Sequence, residues 1–257
     1  MVSDSMIEEK YYDKSFYEEQ QDGSFLSARR VLPLVKNAFH PNSVLDIGCG
    51  VGYWLKVWKE DLDTHDLLGI EGPYVTEDIF QLDKNFLRIA DLKKPLNIER
   101  RFDLVMSLEV AEHIPADCAD VFVENLVRAG DVVLFSAAII AQLGTYHINE
   151  QMPEYWAAKF LTHDYVPVDF IRPLIWNDDK IQYWYRQNII VFIRRNRLND
   201  FPGLKPVADQ SNPQFLLRIH PEKYFSYVNE ANQLRTFRGF TRYKLYHLKC
   251  WLKSLVK

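Results

Sequence analysis

Between residues 43 and 193 the chain alternates short apolar runs with amphipathic stretches. The runs are 43–47, 67–70, 86–90, 104–108, 132–137, 166–171 and 188–193, each of a length suited to a buried strand. Helical spacing is clearest over 116–128, where Val121, Phe122 and Leu126 recur, and over 153–161, with Tyr155, Trp156 and Phe160. Leu26, Val31, Leu32 and Val35 predict another helix over 24–37, which breaks at His40-Pro41.

Strands separated by helices imply a parallel sheet covered on both faces. The last two runs are joined only by 173–186, where no strong helix is legible, so the final strand is expected to be antiparallel. The fold class is therefore α/β: a Rossmann-like, doubly wound sheet of seven strands, mostly parallel with the last reversed. Residues 1–24 read as an acidic arm, 25–197 as the folded domain, and 198–257 as a linker followed by a helical extension. In that extension Phe237, Phe240, Tyr243, His247, Trp251 and Leu255 follow helical spacing among basic residues. From Arg235 to Lys257 there are seven Lys or Arg and no acid. Such a helix can lie on an anionic membrane, pack on the domain, or meet a second subunit.

Composition narrows the class. A net charge of −4 with 47% hydrophobic residues is that of an ordinary globular chain and gives no reason to expect nucleic-acid binding. Three cysteines at wide spacing argue against a disulfide framework and for a reducing, cytoplasmic setting. The acidic start lacks the apolar core of a signal peptide, and no run is long enough to span a bilayer.

The chemistry begins where the first strand ends. Asp46-Ile47-Gly48-Cys49-Gly50-Val51-Gly52 is a glycine-rich turn leading into a helix at Tyr53. A dinucleotide fingerprint needs a third glycine one residue later, where Tyr53 stands. A turn of this spacing behind an acid suits S-adenosylmethionine (SAM), which carries an ammonium group and no phosphate. The second run ends in Glu71, 19 residues after Gly52, placed to hold two ribose hydroxyls. The third ends Ala90-Asp91-Leu92, beside an adenine site, and the fourth ends Ser107-Leu108-Glu109.

The segments LDIGCGVG, GIEG, IADL and FDLVMSLEVAEHI resemble, in order and spacing, the successive motifs of class I SAM-dependent methyltransferases. The resemblance implies that Asp46, Gly48, Cys49 and Gly50 line the methionine end of SAM. It gives the ribose to Glu71 with Gly72, the adenine to Asp91 and Leu92, and the floor to Ser107, Leu108 and Glu109. The product would be S-adenosylhomocysteine (SAH). SLEVAEHI, VVLFSAAI, GTYHINEQMPEYWAAKF and WYRQNIIVFI further resemble a bacterial subgroup encoded with capsule, lipopolysaccharide and other glycan-assembly genes. That likeness implies O-methylation of a sugar or of a phosphate-type group such as a phosphoramidate. Residues 140–144 depart from the subgroup's more glycine-rich pattern.

Methyl transfer to an alcohol needs alignment, exclusion of water and removal of a proton. His147 and His113 are candidate bases, with Glu150 beside them, because imidazole titrates near working pH. Glu112, Asn149, Gln151, Tyr185 and Arg186 are candidate acceptor contacts, Arg186 as a grip for an anionic acceptor. Asn149 and Glu150 also suit the caps of the helix near Pro153. No metal is expected, since the tight Asp/Asp/Asn spacing of catechol-type metal sites is missing. Two rivals stay open: a small aromatic or natural-product acceptor, and a non-catalytic partner protein that keeps only the fold.

Overall fold

A computed structural model describes residues 14–235 together with 241, 242, 244 and 245, with side chains from residue 23 onward. Seven strands form one sheet: β1 (Ser43–Ile47), β2 (Asp66–Glu71), β3 (Leu87–Ile89), β4 (Leu104–Leu108), β5 (Val132–Ser136), β6 (Tyr165–Val168) and β7 (Ile190–Arg194). Their spatial order is β3-β2-β1-β4-β5-β7-β6. The first five pair in parallel, and β7 runs antiparallel to both β5 and β6. The expected reversal of the last strand is present.

The strands read as uninterrupted apolar runs because helices cover both faces. On one face lie α1 (Lys14–Phe39) and α2 (Tyr53–Glu60), whose Leu32, Val35, Leu55 and Trp58 pack with Val44, Leu104, Met106 and Leu134. On the other lie α3 (Ala119–Ala129) and α4 (Pro153–Thr162), which set Phe122, Leu126, Trp156 and Phe160 against Leu45, Val105, Val133 and Phe135. Alternation along β4 divides the two sets, Val105 facing one core and Met106 the other.

Several boundaries differ from the sequence reading. Helix α1 runs unbroken from Lys14, so half of the expected arm is helical. The run 166–171 splits: β6 ends at Val168, and Ile171 begins the short helix α5 (Ile171–Ile175). Arg186, Gln187 and Asn188 do not open the last strand but close a second short helix, α6 (Tyr183–Asn188).

The segment expected as a linker carries α7 (Lys205–Gln210), and its Leu198, Phe201, Leu204 and Val207 pack on the core. Arg172, fully buried, ties this segment down. Its guanidinium donates to both Asp169 oxygens at 2.8 and 2.7 Å and to the carbonyls of Gln187 and Leu216 at 3.0 and 2.9 Å. Arg218 pairs with the same Asp169 at 2.8 Å. The first compact unit accordingly runs to Arg218, and Ile219–Lys257 forms a second. That second unit contains α8 (Pro221–Arg235). Most of the basic amphipathic stretch after Arg235 lies outside the described residues. Among the described residues no helix is long and apolar enough to cross a membrane.

Candidate functional site

The sheet order reverses between β1 and β4, and loops diverging from such a point leave a crevice at the carboxyl edge. A cleft of about 850 Å³ lies there, within the usual range for a small-molecule site. Its near wall is the turn after β1. Gly48, Gly50 and Gly52 have φ of 84°, 53° and 89°, a region that side chains disfavour. At Gly48 space decides as well, since a Cβ there would stand 2.4 Å from the Val110 side chain.

Glu71 ends β2 and lines the cleft. One carboxylate oxygen accepts from Gly50 N at 2.7 Å; the other accepts from Gly72 N at 2.8 Å and Tyr74 Oη at 2.7 Å. The acid expected to take the ribose therefore also pins the glycine turn. Asp91 and Leu92 follow β3 and line the same cleft, with Asp91 paired to Lys94 at 3.1 Å. An acid on the second strand, bare backbone on the first turn and an apolar shelf after the third fit the ribose, amino-acid and adenine parts of SAM.

The far wall comes from the turns after β4 and β5. Glu109 has φ of 55°, a conformation rare outside glycine, held by hydrogen bonds on every side. Its N–H donates to the Ser136 carbonyl and hydroxyl, both at 3.0 Å. Its carboxylate accepts from Asn188 Nδ2 at 3.1 Å and Gln142 Nε2 at 3.0 Å. Burial pushes this carboxyl up, and the three side-chain bonds pull partly back. Glu112 is completely buried, and burial followed by the Glu109 charge raises its carboxyl far above the ordinary range. Its backbone carbonyl accepts from Ile148 N at 3.0 Å and Asn149 N at 2.9 Å, which joins the two turns.

His113 and His147 meet edge to face, ring centres 4.9 Å apart. Burial and the neighbouring His147 depress His113 to about 4, against a weaker opposite pull from the Tyr146 carbonyl. His147 Nδ1 lies 2.8 Å from Glu150 Oε1. A Cβ on Gly144 would fall 2.2 Å from His147 Nε2, so the bare glycine makes room for this imidazole. The third side of the cleft is aromatic, built from Tyr53, Trp54, Tyr183, Trp184 and Tyr185. The Tyr185 hydroxyl reaches Ser24 of α1 at 3.2 Å.

Most of the predicted residues thus share one cleft: Gly48, Cys49, Gly50, Glu71, Gly72, Asp91, Leu92, Leu108, Glu109, Glu112, His113, His147 and Tyr185. Others do not line it. Asp46 and Ser107 are buried within their strands. Glu150 does not line the cleft but accepts from Ala141 N, Leu143 N and His147 at 2.8, 2.7 and 2.8 Å, and so fixes the 141–143 turn against the His147 ring. Asn149 is buried and Gln151 donates to it, while the α4 N-cap is Met152, with no side-chain cap. Arg186 is buried, with Nη1 3.4 Å from the Trp176 carbonyl. The residues that sequence reasoning missed, Gln142, Tyr53 and Trp54, sit in stretches read as loop or as helix core.

Residues 17–129 match a family model described as a methyltransferase domain. No curated protein matches the chain by sequence. Among solved structures, the plantazolicin methyltransferase BpumL in complex with SAH superposes with a TM-score of 0.53 at 16% identity, covering 74% of this chain and 92% of that one. Magnesium protoporphyrin IX methyltransferase from Synechocystis PCC 6803 gives 0.51 at 15%, covering 74% and 100%. The sugar N-methyltransferase KedS8 from Streptoalloteichus sp ATCC 53650 gives 0.54 at 15%, covering 71% and 93%. These likenesses share the fold and differ in the acceptor that their names state. Residues 17–129 thus carry a methyltransferase-domain match, and the sheet topology and the cleft at the switch point agree with the fold of these methyltransferases.

Proposed function

We propose that the chain methylates a hydroxyl oxygen of a small acceptor, a sugar or glycan-linked group by preference, in cytoplasmic assembly of a bacterial surface glycan. The observation that carries oxygen transfer is His147, an imidazole at the acceptor end of the cleft with Nδ1 held by Glu150. SAM, when bound, supplies an electrophilic methyl group. Glu71, Gly48 and Gly50 are assigned to its ribose and methionine ends, and Asp91 with Leu92 to its adenine. His147 Nε2 accepts the proton that the acceptor hydroxyl must lose, and Glu109 and Gln142 orient the acceptor. The aromatic wall excludes water.

A phosphate or phosphoramidate acceptor needs a fixed cation at the reacting end. Arg186 does not line the cleft, and the lysines that do, Lys93 and Lys94, stand beside Asp91 at the adenine end. This favours the hydroxyl. The glycan assignment draws on the motif resemblance alone. A planar aromatic hydroxyl is the second reading, and the wall of Tyr53, Trp54, Tyr183 and Trp184 supports it.

The test is SAH release on a panel of nucleotide-linked sugars, sugar phosphates and phenols. His147→Gln is expected to lower kcat by about 10²–10⁴ while SAH affinity holds. Glu71→Ala should weaken SAH binding by about 10- to 100-fold, the loss of a charge-assisted hydrogen bond. Full turnover in His147→Gln would remove the proton-transfer role, and unchanged SAH affinity in Glu71→Ala would remove the ribose assignment.

A further inference from the structure

Two turns from neighbouring strands bring one carboxylate and two imidazoles together beside the acceptor end of the cleft. Glu112 and His113 follow β4 and His147 follows β5. One potential ligand atom from each lies within 4.8 Å of the others. The surroundings select the nitrogen that each imidazole presents. His113 Nδ1 stands 3.1 Å from the Tyr146 carbonyl, which can only accept, so Nδ1 carries the proton and Nε2 the lone pair. His147 Nδ1 meets the Glu150 carboxylate in the same way. Carbonyl or carboxylate partners behind an imidazole are the support that metal-bound histidines receive.

Glu112 gives a second, independent sign. Its side chain is wholly buried, and neither oxygen makes a hydrogen bond of normal geometry to a described residue. Its own N–H and that of Ala138 lie near enough only to ease the charge. His147 Nε2 is 3.9 Å from Glu112 Oε1, too far for a hydrogen bond and wide enough to admit an ion. Among the described residues the one ion-pair partner of both Glu112 and Glu150 is the His147 imidazole. The cluster is rich in lone pairs and poor in donors, a combination that costs several kcal/mol when buried without a cation.

We propose that Glu112, His113 and His147 hold a divalent first-row transition-metal ion of the zinc, manganese or cobalt class. Two imidazole nitrogens and one carboxylate suit these ions, whereas magnesium and calcium prefer all-oxygen shells. Ligand bonds of about 2.1 Å at tetrahedral angles separate donors by about 3.4 Å, so side-chain movements of about 1 Å close the site. Three protein ligands leave a position open, and all three residues line the cleft. The ion's role rests on the hydroxyl-methylation reading: the acceptor oxygen binds the open position, its O–H bond breaks, and the proton passes to water. With the ion bound, His147 Nε2 is a ligand and water replaces it as proton acceptor, so the base role proposed above belongs to the ion-free chain. Sequence spacing hid this set, because His113 and His147 are 34 residues apart.

The experiment is calorimetric titration of the full chain, stripped with EDTA, with ZnCl2, MnCl2, CoCl2 and MgCl2 in the absence of SAM and acceptor. One equivalent of Zn²⁺ or Co²⁺ is expected to bind at micromolar or lower concentration, with Mg²⁺ about 100-fold weaker or more. Glu112→Gln and His147→Ala should each weaken binding about 100-fold, and Glu150→Gln, which spares every ligand, about 10- to 100-fold. The wild-type titration stands even where a variant does not fold. Absence of saturable binding by Zn²⁺, Mn²⁺ and Co²⁺, or equal binding in Glu112→Gln and His147→Ala, overturns the proposal. With no acceptor present, that failure leaves methyl transfer untouched. Intact ion binding without turnover on any hydroxyl acceptor would instead overturn the methylation reading.

Discussion

Glu112 burdens the metal-free fold. Burial raises its carboxyl above its unfolded value, so the unfolded chain releases this proton first as pH rises. The penalty is absent below about pH 4, grows as pH climbs through the unfolded value, and levels off above the folded one. Glu112→Gln, neutral and similar in shape, is therefore expected to raise Tm in EDTA at pH 8, by roughly 2–4 °C per kcal/mol regained. The gain should vanish toward pH 4. Scanning fluorimetry across that range checks it, and an equal gain at both ends would assign the effect to packing. His113 works in the opposite direction: with its folded value near 4, stability falls as pH drops from the unfolded imidazole value of about 6.5. A neutral optimum built from two opposed groups is the expected profile.

Among elements, the turn between β1 and α2 is the least replaceable. Gly48→Ala places a side chain at φ 84° and 2.4 Å from Val110, whose neighbours Glu109 and Glu112 form the far wall. Left-handed backbone costs about 1–2 kcal/mol for an L-residue, before Val110 is displaced. Tm and SAH affinity should fall together in Gly48→Ala. Gly203→Ala, where nothing lies within 4 Å, should leave both unchanged. This turn was legible in the sequence because glycine spacing reports backbone geometry directly. Arg186 was not, because its aromatic neighbours suggested a strand mouth. In α6, helical spacing instead turns Tyr185 into the cleft while Arg186 contacts the Trp176 carbonyl. Glu150 was legible as polar and near the site, but only tertiary structure shows it spent on backbone N–H groups.

For the whole molecule, the strands were readable since burial on both faces removes polar interruptions. The extent of the first unit was not, because prolines and polar residues between 198 and 213 mimic a linker. What holds them is the buried Asp169–Arg172 pair with Arg218. Asp169→Asn strips a fully buried guanidinium of its counter-charge, at a cost of about 3–5 kcal/mol. Urea denaturation should show that loss, and limited proteolysis should cut first between 198 and 218.

The double hydrogen bond to the Glu112 carbonyl has a consequence for redesign. It couples the backbone of one turn to the backbone of another, so neither can be exchanged as a separate cassette. Grafting residues 138–152 from an enzyme with a different acceptor would need residues 109–114 from the same donor. The two loops form a matched pair and would have to be exchanged together.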